Sequence, residues 1–288
     1  MTTTTDMREW TLAVVGCGTV GHWGSLDLMS SGAADRLTGA TFIDRALIRE
    51  RNAITCPGYA GHADRPKSER LEELARRLIR GQTRTRSVIC GVDRIDWGDV
   101  LPAGGADGRR ANIVLVGLDD WGARLTVAED LRRHAAGAGI EVVSIQIGLD
   151  KGQAQVCVYG SRHADPCPAC WLPSLPGKQP CVVFTSDNAL LRGDLHREAR
   201  EAARLVRRIV TDLLRGSEAW TNTKTNLTAG GRVRGGFERL TRERCRMMPG
   251  CHGPHFARGP MRWSEILGLA AAGAAPAAAV IGAEGEWT

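Results

Sequence analysis

Gly16-Cys17-Gly18-Thr19-Val20-Gly21 follows an apolar run, and about twenty residues further on a second apolar run ends at Asp44. A glycine turn of this form lets the backbone pass close to phosphate oxygens. A helix starting there offers unpaired N–H groups and the positive end of its dipole. A carboxylate at the end of the second strand is placed to bond a ribose hydroxyl. The pattern points to a bound nucleotide, and by itself it fits NAD, FAD and ATP alike. A turn used only for its geometry is the alternative. The segment after Asp44 then supplies Arg49, Arg51, Asn52 and Lys67, groups suited to phosphate oxygens. A dinucleotide dehydrogenase usually passes quickly from its acidic residue into the next helix, and this chain does not. Lys67 taken alone reads equally well as a solvated lysine in the first turn of a helix.

The chain has nine cysteines. Cys167-Pro-Ala-Cys170 has the spacing of a zinc knuckle, in which two thiolates hold one tetrahedral ion and a second pair completes it. Loop cysteines without metal are the plainer reading. Cys17, Cys90 and Cys157 sit in apolar strand or turn contexts and read as core residues. Cys56, next to Pro57, has no assigned role. His22 and Trp23 beside the glycine turn could meet a nucleotide, but such residues more often pack.

The elements that must position these groups follow from periodicity. Strands are expected at 11–15, 40–44, 86–91, 112–118 and 140–147. Helices are expected at about 20–32, 67–80 and 122–137. Alternation of this kind builds a parallel sheet with crossover helices, an α/β, Rossmann-like fold. The character changes after about 150. Residues 153–159 read as an edge strand, and a Cys/Pro loop, a basic helix within 192–216 and strand-like stretches at 221–228 and 232–244 follow. The second half is therefore expected to extend the sheet with antiparallel strands. Residues 1–263 read as one domain and 264–288 as an Ala-rich tail.

The chain has 288 residues, a net charge of +6 and 43% hydrophobic residues, the composition of an ordinary soluble globular protein. No apolar run approaches the ~20 residues of a membrane helix. The start, MTTTTDMREW, lacks the layout of a signal peptide, so a cytoplasmic protein is expected. The arginines of 192–216 could meet nucleic acid, but interleaved Glu and Asp make a solvated helix face the preferred reading.

The order of features goes further. GxGxxG, Asp44, Asn52, Arg65-Pro66-Lys67 opening a helix, a strand ending in Asp119, the CPAC of 167–170 and Pro-Gly-Cys at 249–251 together resemble the ThiF/MoeB/HesA family, bacterial relatives of ubiquitin-activating enzymes. The resemblance covers roughly residues 10–255. It implies that Gly16, Gly18 and Gly21 line ATP, that Asp44 holds the ribose, and that Asn52 and Lys67 contact the phosphates. Asp119 would hold Mg2+ and support adenylation, Asp120 replaces a usual Asn, and Arg124 would be structural or phosphate-facing. Zn2+ would sit on Cys167, Cys170 and Cys251, with Cys245 or His255 as the fourth ligand; the family's four-thiolate habit favours Cys245. Cys181 stands about where the family carries a cysteine that receives the activated acyl group, with a packed or spare thiol as the plainer reading.

Two departures matter. The family's arginine three residues after Asn52 is replaced by Thr55. Its N-terminal Arg-Tyr-x-Arg-Gln segment is replaced by Met7-Arg8-Glu9-Trp10, and Arg49 or Arg51 would have to substitute. The activity implied is ATP-dependent adenylation of a carboxylate on a small carrier protein or a peptide C-terminus, by a homodimer. The family's tRNA-modifying branch keeps a nucleic-acid substrate in view. The alternatives are an NAD-dependent oxidoreductase and a non-catalytic scaffold subunit.

Overall fold

The structure is a computed structural model and describes residues 9–102, 110–150, 153–162, 165–166, 189–228 and 233–239. In chain order the elements are β1 (Glu9–Val15), α1 (Thr19–Met29), β2 (Leu37–Ile43), α2 (Lys67–Leu78), β3 (Arg84–Val88), α3 (Trp97–Val100), β4 (Arg110–Val116), α4 (Trp121–Ala138), β5 (Glu141–Asp150), β6 (Gln153–Gly160), α5 (Ala189–Leu214), β7 (Thr223–Thr228) and β8 (Val233–Arg239). Short 3-10 turns punctuate the segment between β2 and α2.

The strands form an eight-stranded sheet in the order β3-β2-β1-β4-β5-β6-β7-β8. The first five pair in parallel and the last three add on antiparallel. Both faces of the parallel part are covered at its centre, which is why β1 and β4 read as unbroken apolar runs, while β3, at the sheet's edge, is polar and half-buried. Along β1, Leu12 and Val14 join the core under α1, α2 and α5, while Ala13 and Val15 join the core under α3 and α4. The order of the first five strands reverses at β1, so the crevice at the carboxyl ends of β1 and β4 is the topological switch point where such folds bind ligands.

One expectation is overturned. Residues 153–159 are no edge: β6 lies between β5 and β7. The polar alternation of Gln153, Gln155 and Cys157 imitates an edge strand because only one face, Ala154, Val156 and Val158, enters the core under α5. The neighbour that covers its other side, β7, comes from far along the chain and leaves no local trace. The basic helix is α5. It buries Ala202, Val206, Ile209, Val210 and Leu213 against α1 and the sheet and turns Arg204 and Arg208 to solvent. Among the described residues, no helix is long and apolar enough to cross a membrane.

Candidate nucleotide site

The three glycines of the turn do three different jobs. Gly16 has φ +87°, and a Cβ there would lie 2.8 Å from the Gly117 carbonyl oxygen. Gly21, in the first turn of α1, would bring a Cβ within 2.0 Å of the Gly16 carbonyl oxygen. These two are required by the packing of the turn itself. Gly18 is different: it caps α1 with an ordinary φ of −73°, and nothing lies within 4 Å of the position a Cβ would take. No side chain caps this helix. The open space thus lies at the end of α1 where N–H groups are unpaired and the dipole is positive.

Asp44 sits at the carboxyl end of β2, half-buried. One carboxylate oxygen accepts from the Cys17 N–H (2.8 Å) and the other from the Ala46 N–H (2.7 Å). It therefore holds the turn and starts the crossover loop at once. That loop, 45–66, folds back beneath the turn. The Tyr59 hydroxyl donates to the Cys17 carbonyl oxygen (2.6 Å), Thr19 Oγ1 donates to Thr55 Oγ1 (2.8 Å), and Trp23 Nε1 donates to the Thr55 carbonyl oxygen (2.8 Å). Asn52 is half-buried and accepts from the Arg49 N–H (2.9 Å), which shapes the loop, while Arg49 and Arg51 are exposed.

Lys67 opens α2, with its N–H on the Ala46 carbonyl oxygen (3.0 Å). Its positive charge bears on the thiols of both Cys17 and Cys56, so its ammonium is within electrostatic reach of the glycine turn. Burial pushes the Cys17 thiol well up, helped by the Asp44 charge, and burial pushes Cys56 up to about 11. Neither is a nucleophile near neutral pH. Cys17, Cys56 and Cys157 are buried and Cys90 half-buried at the core margin.

At the end of β4, Asp119 is exposed beyond Gly117, the residue that abuts both Gly16 and Gly21. Asp120 accepts from the Ala123 N–H and caps α4. Arg124 resolves to its structural role: it is buried and donates to the Leu118 (2.7 Å) and Ile147 (2.8 Å) carbonyl oxygens. His22 and Trp23 pack. His22 is buried edge-on against Tyr59 at 4.9 Å, and Trp23 stacks on His196 at 4.7 Å.

The structure thus gathers Gly16, Gly18, Gly21, Asp44 and Lys67 at one end of the sheet with the loop bearing Arg51 and Asn52. Cys167, Cys170, Cys181, Cys245, Cys251 and His255 lie outside the described residues. Within those, no three His, Cys, Asp or Glu side chains stand together as a metal site. Tyr59 and Thr55 were not legible as anchors. Tyr59 is one of two tyrosines in the chain, a weak cue that it is not generic surface.

No protein-family model and no curated protein sequence matches the chain. Solved structures do match. E. coli MccB with ATP aligns with a TM-score of 0.55 and 15% identity, covering 85% of this chain and 66% of that one. E. coli MccB with succinimide gives 0.58 and 13%, covering 86% and 67%. PaaA gives 0.52 and 15%, covering 83% and 66%. The chain therefore spans about two thirds of the length of these proteins. At such identities the likeness is one of architecture, and this chain has the fold that MccB and PaaA share.

Proposed function

We propose that this chain binds ATP over the glycine turn and adenylates a carboxylate at the C-terminus of a peptide or small carrier protein. The observation that carries the reading is the open space at Gly18, set on an uncapped helix N-terminus within reach of the Lys67 charge. Support for ATP and for a peptide comes from the shared fold, since MccB has been solved with ATP and with MccA.

A carboxylate oxygen would attack the α-phosphorus and the bond to the pyrophosphate oxygen would break, giving an acyl-adenylate and pyrophosphate. Two anions meet in that step. The N–H groups of α1, Lys67, Asn52 and Arg51 would offset the repulsion from fixed positions. Asp44 spends one lone pair of one oxygen on the turn and one of the other on the crossover loop, and a carboxylate oxygen has a second, so ribose hydroxyls still have acceptors there. The exposed carboxylate of Asp119 suits Mg2+, a hard cation held by one or two carboxylates and substrate phosphates. Bound Mg2+ would neutralise charge on the phosphates. Zn2+ on Cys167, Cys170, Cys251 and either Cys245 or His255, acyl transfer to Cys181 and pairing as a homodimer belong to the same proposal. Light scattering that finds a monomer at micromolar concentration would remove the last.

A scaffold reading has one specific support. Thr55, in the place of the family arginine, is 5% exposed and tied to Thr19, so it cannot reach a phosphate in that arginine's stead.

Thermal shift with Mg-ATP, with ATP plus EDTA and with NAD tests the reading without a known substrate. At a hundred times its dissociation constant a ligand adds about 2.7 kcal/mol, roughly 5 °C in a chain of this size. The expected shift follows Mg-ATP, and Asp119→Ala erases the difference made by magnesium while leaving the fold intact. A shift with NAD alone returns the chain to the oxidoreductases. A shift with Mg-ATP, but no ATP–pyrophosphate exchange with any carboxylate offered, favours the scaffold.

A further inference from the structure

The crossover loop does more than connect β2 to α2. Tyr59 is 1% exposed, its ring held by His22 at 4.9 Å, and its hydroxyl donates to the Cys17 carbonyl oxygen at 2.6 Å. That carbonyl belongs to the same peptide plane as the Gly18 N–H. In a trans peptide the C=O and the N–H point to opposite sides. Holding the oxygen down onto Tyr59 therefore turns the Gly18 N–H up, away from the loop. No acceptor among the described residues takes that N–H, and its own residue faces open space. The preceding plane is pinned as well, because the Cys17 N–H is held by Asp44 at 2.8 Å. One residue of the turn is thus clamped on both of its peptides, and the donor left over is the one aimed at the candidate phosphate position.

From this we infer that Tyr59 is a positioning residue for the nucleotide. Its hydroxyl fixes the Cys17–Gly18 peptide so that the Gly18 N–H is already directed at a phosphate before ligand arrives. The inference rests on the nucleotide reading of the turn and adds a residue to it. Without the hydroxyl the peptide is free to rotate, and the cost falls on phosphate binding rather than on the nucleoside. A carbonyl that accepts a hydrogen bond also strengthens the donor at the other end of its amide, which acts in the same direction.

The test compares wild type, Tyr59→Phe and Tyr59→Leu in Kd for Mg-ATP and for adenosine, with Tm recorded without ligand. Tyr59→Phe is expected to weaken Mg-ATP about tenfold, the loss of one well-aimed hydrogen bond to a charged group, and to leave adenosine within about twofold. Tyr59→Leu is expected to lower Tm as well, and Phe to recover most of that Tm without recovering the preference for ATP over adenosine. A merely structural tyrosine would move both ligands together. Equal affinities of wild type and Tyr59→Phe for Mg-ATP, or equal losses for ATP and adenosine, would overturn the inference and leave the adenylation reading standing. If wild type prefers NAD, the same comparison with NAD in place of ATP decides on Tyr59, because the turn would still cradle a pyrophosphate. Wild type that binds none of the three overturns both.

Discussion

Gly18 and Gly21 stand three residues apart in one motif, yet alanine should do opposite things to them. At Gly18 the added methyl enters empty space on a backbone with φ −73°. Alanine is the poorer N-cap by a few tenths to ~1 kcal/mol, and it restricts the unfolded chain by a similar amount, so the two cancel to within about 0.5 kcal/mol. At Gly21 the methyl would sit 2.0 Å from the Gly16 carbonyl oxygen, with the Gly16 carbonyl carbon at 3.1 Å and Val14 Cγ1 at 3.4 Å. The first two are backbone atoms with no rotamer to change, so α1 must part from the turn. Overpacking of this kind costs ~1–3 kcal/mol, and alanine's better helix propensity returns at most about 1. A net loss of about 2 kcal/mol, or roughly 4 °C in Tm, is expected for Gly21→Ala and almost none for Gly18→Ala. Nucleotide binding should weaken in both. A methyl in the phosphate space that weakens Mg-ATP tenfold would halve the stabilisation at fixed ligand, from about 2.7 to about 1.4 kcal/mol. Differential scanning fluorimetry with and without Mg-ATP reads both quantities. Gly18→Ala with a full ligand shift would refute the claim that phosphates lie over Gly18. Gly21→Ala with an unchanged Tm would refute the packing argument.

Two further outcomes follow from single groups. Burial, then the charges of His196 and Arg70, lowers the His22 pKa to about 4. The unfolded chain then takes up a proton below about pH 6.5 that the folded one refuses, so stability falls with pH between 6.5 and 4; about 2 kcal/mol should be gone by pH 5, and His22→Gln should flatten that slope. An equally steep slope in His22→Gln would assign the acid sensitivity elsewhere. Metal analysis should find about one zinc per chain, lost in Cys167→Ser, and a metal-free wild-type protein would reduce CPAC to ordinary loop cysteines.

What the sequence made legible was whatever is periodic or local. Unbroken apolar runs announced buried parallel strands, and the glycine spacing placed the turn between β1 and α1, where Gly16 and Gly21 meet backbone that no side chain could share. Lys67 began a helix as its Arg-Pro-Lys context suggested. At β6 the sequence pattern and the structure differ for another reason. Its partner β7 is more than sixty residues away and is joined through α5, so nothing in the polar alternation of 153–159 reveals whether a strand has one neighbour or two. The sequence does not distinguish a structural Arg124 from a phosphate-facing one, because only the fold brings the Leu118 and Ile147 carbonyl oxygens to the same guanidinium.

The crossover loop carries the larger lesson. Its length was readable, and so were Asn52, Arg49 and Arg51, but the length alone looked like slack chain supplied with cations. Three hydrogen bonds give it another purpose. Tyr59 on Cys17, Thr19 on Thr55 and Trp23 on Thr55 bolt the loop to the turn and to the first helical turns beyond it. A short connection from Asp44 into α2 could not pass under the glycine turn and return, so the extra residues are what let the loop serve as a floor. This also recasts the missing arginine. At Thr55 the chain holds a small hydroxyl that locks the floor to α1, where a long cation would have to leave the interior to reach a phosphate. Any cationic help for the phosphates must then come from half-buried Lys67 and, at the rim, from the exposed Arg49 and Arg51. Charges on the rim are screened by salt and worth less than buried ones. If the proposed nucleotide binds there, its affinity should accordingly depend on fixed N–H donors held from below more than on long-range charge, which is why removing one hydroxyl beneath the turn is expected to matter as much as removing a cation above it.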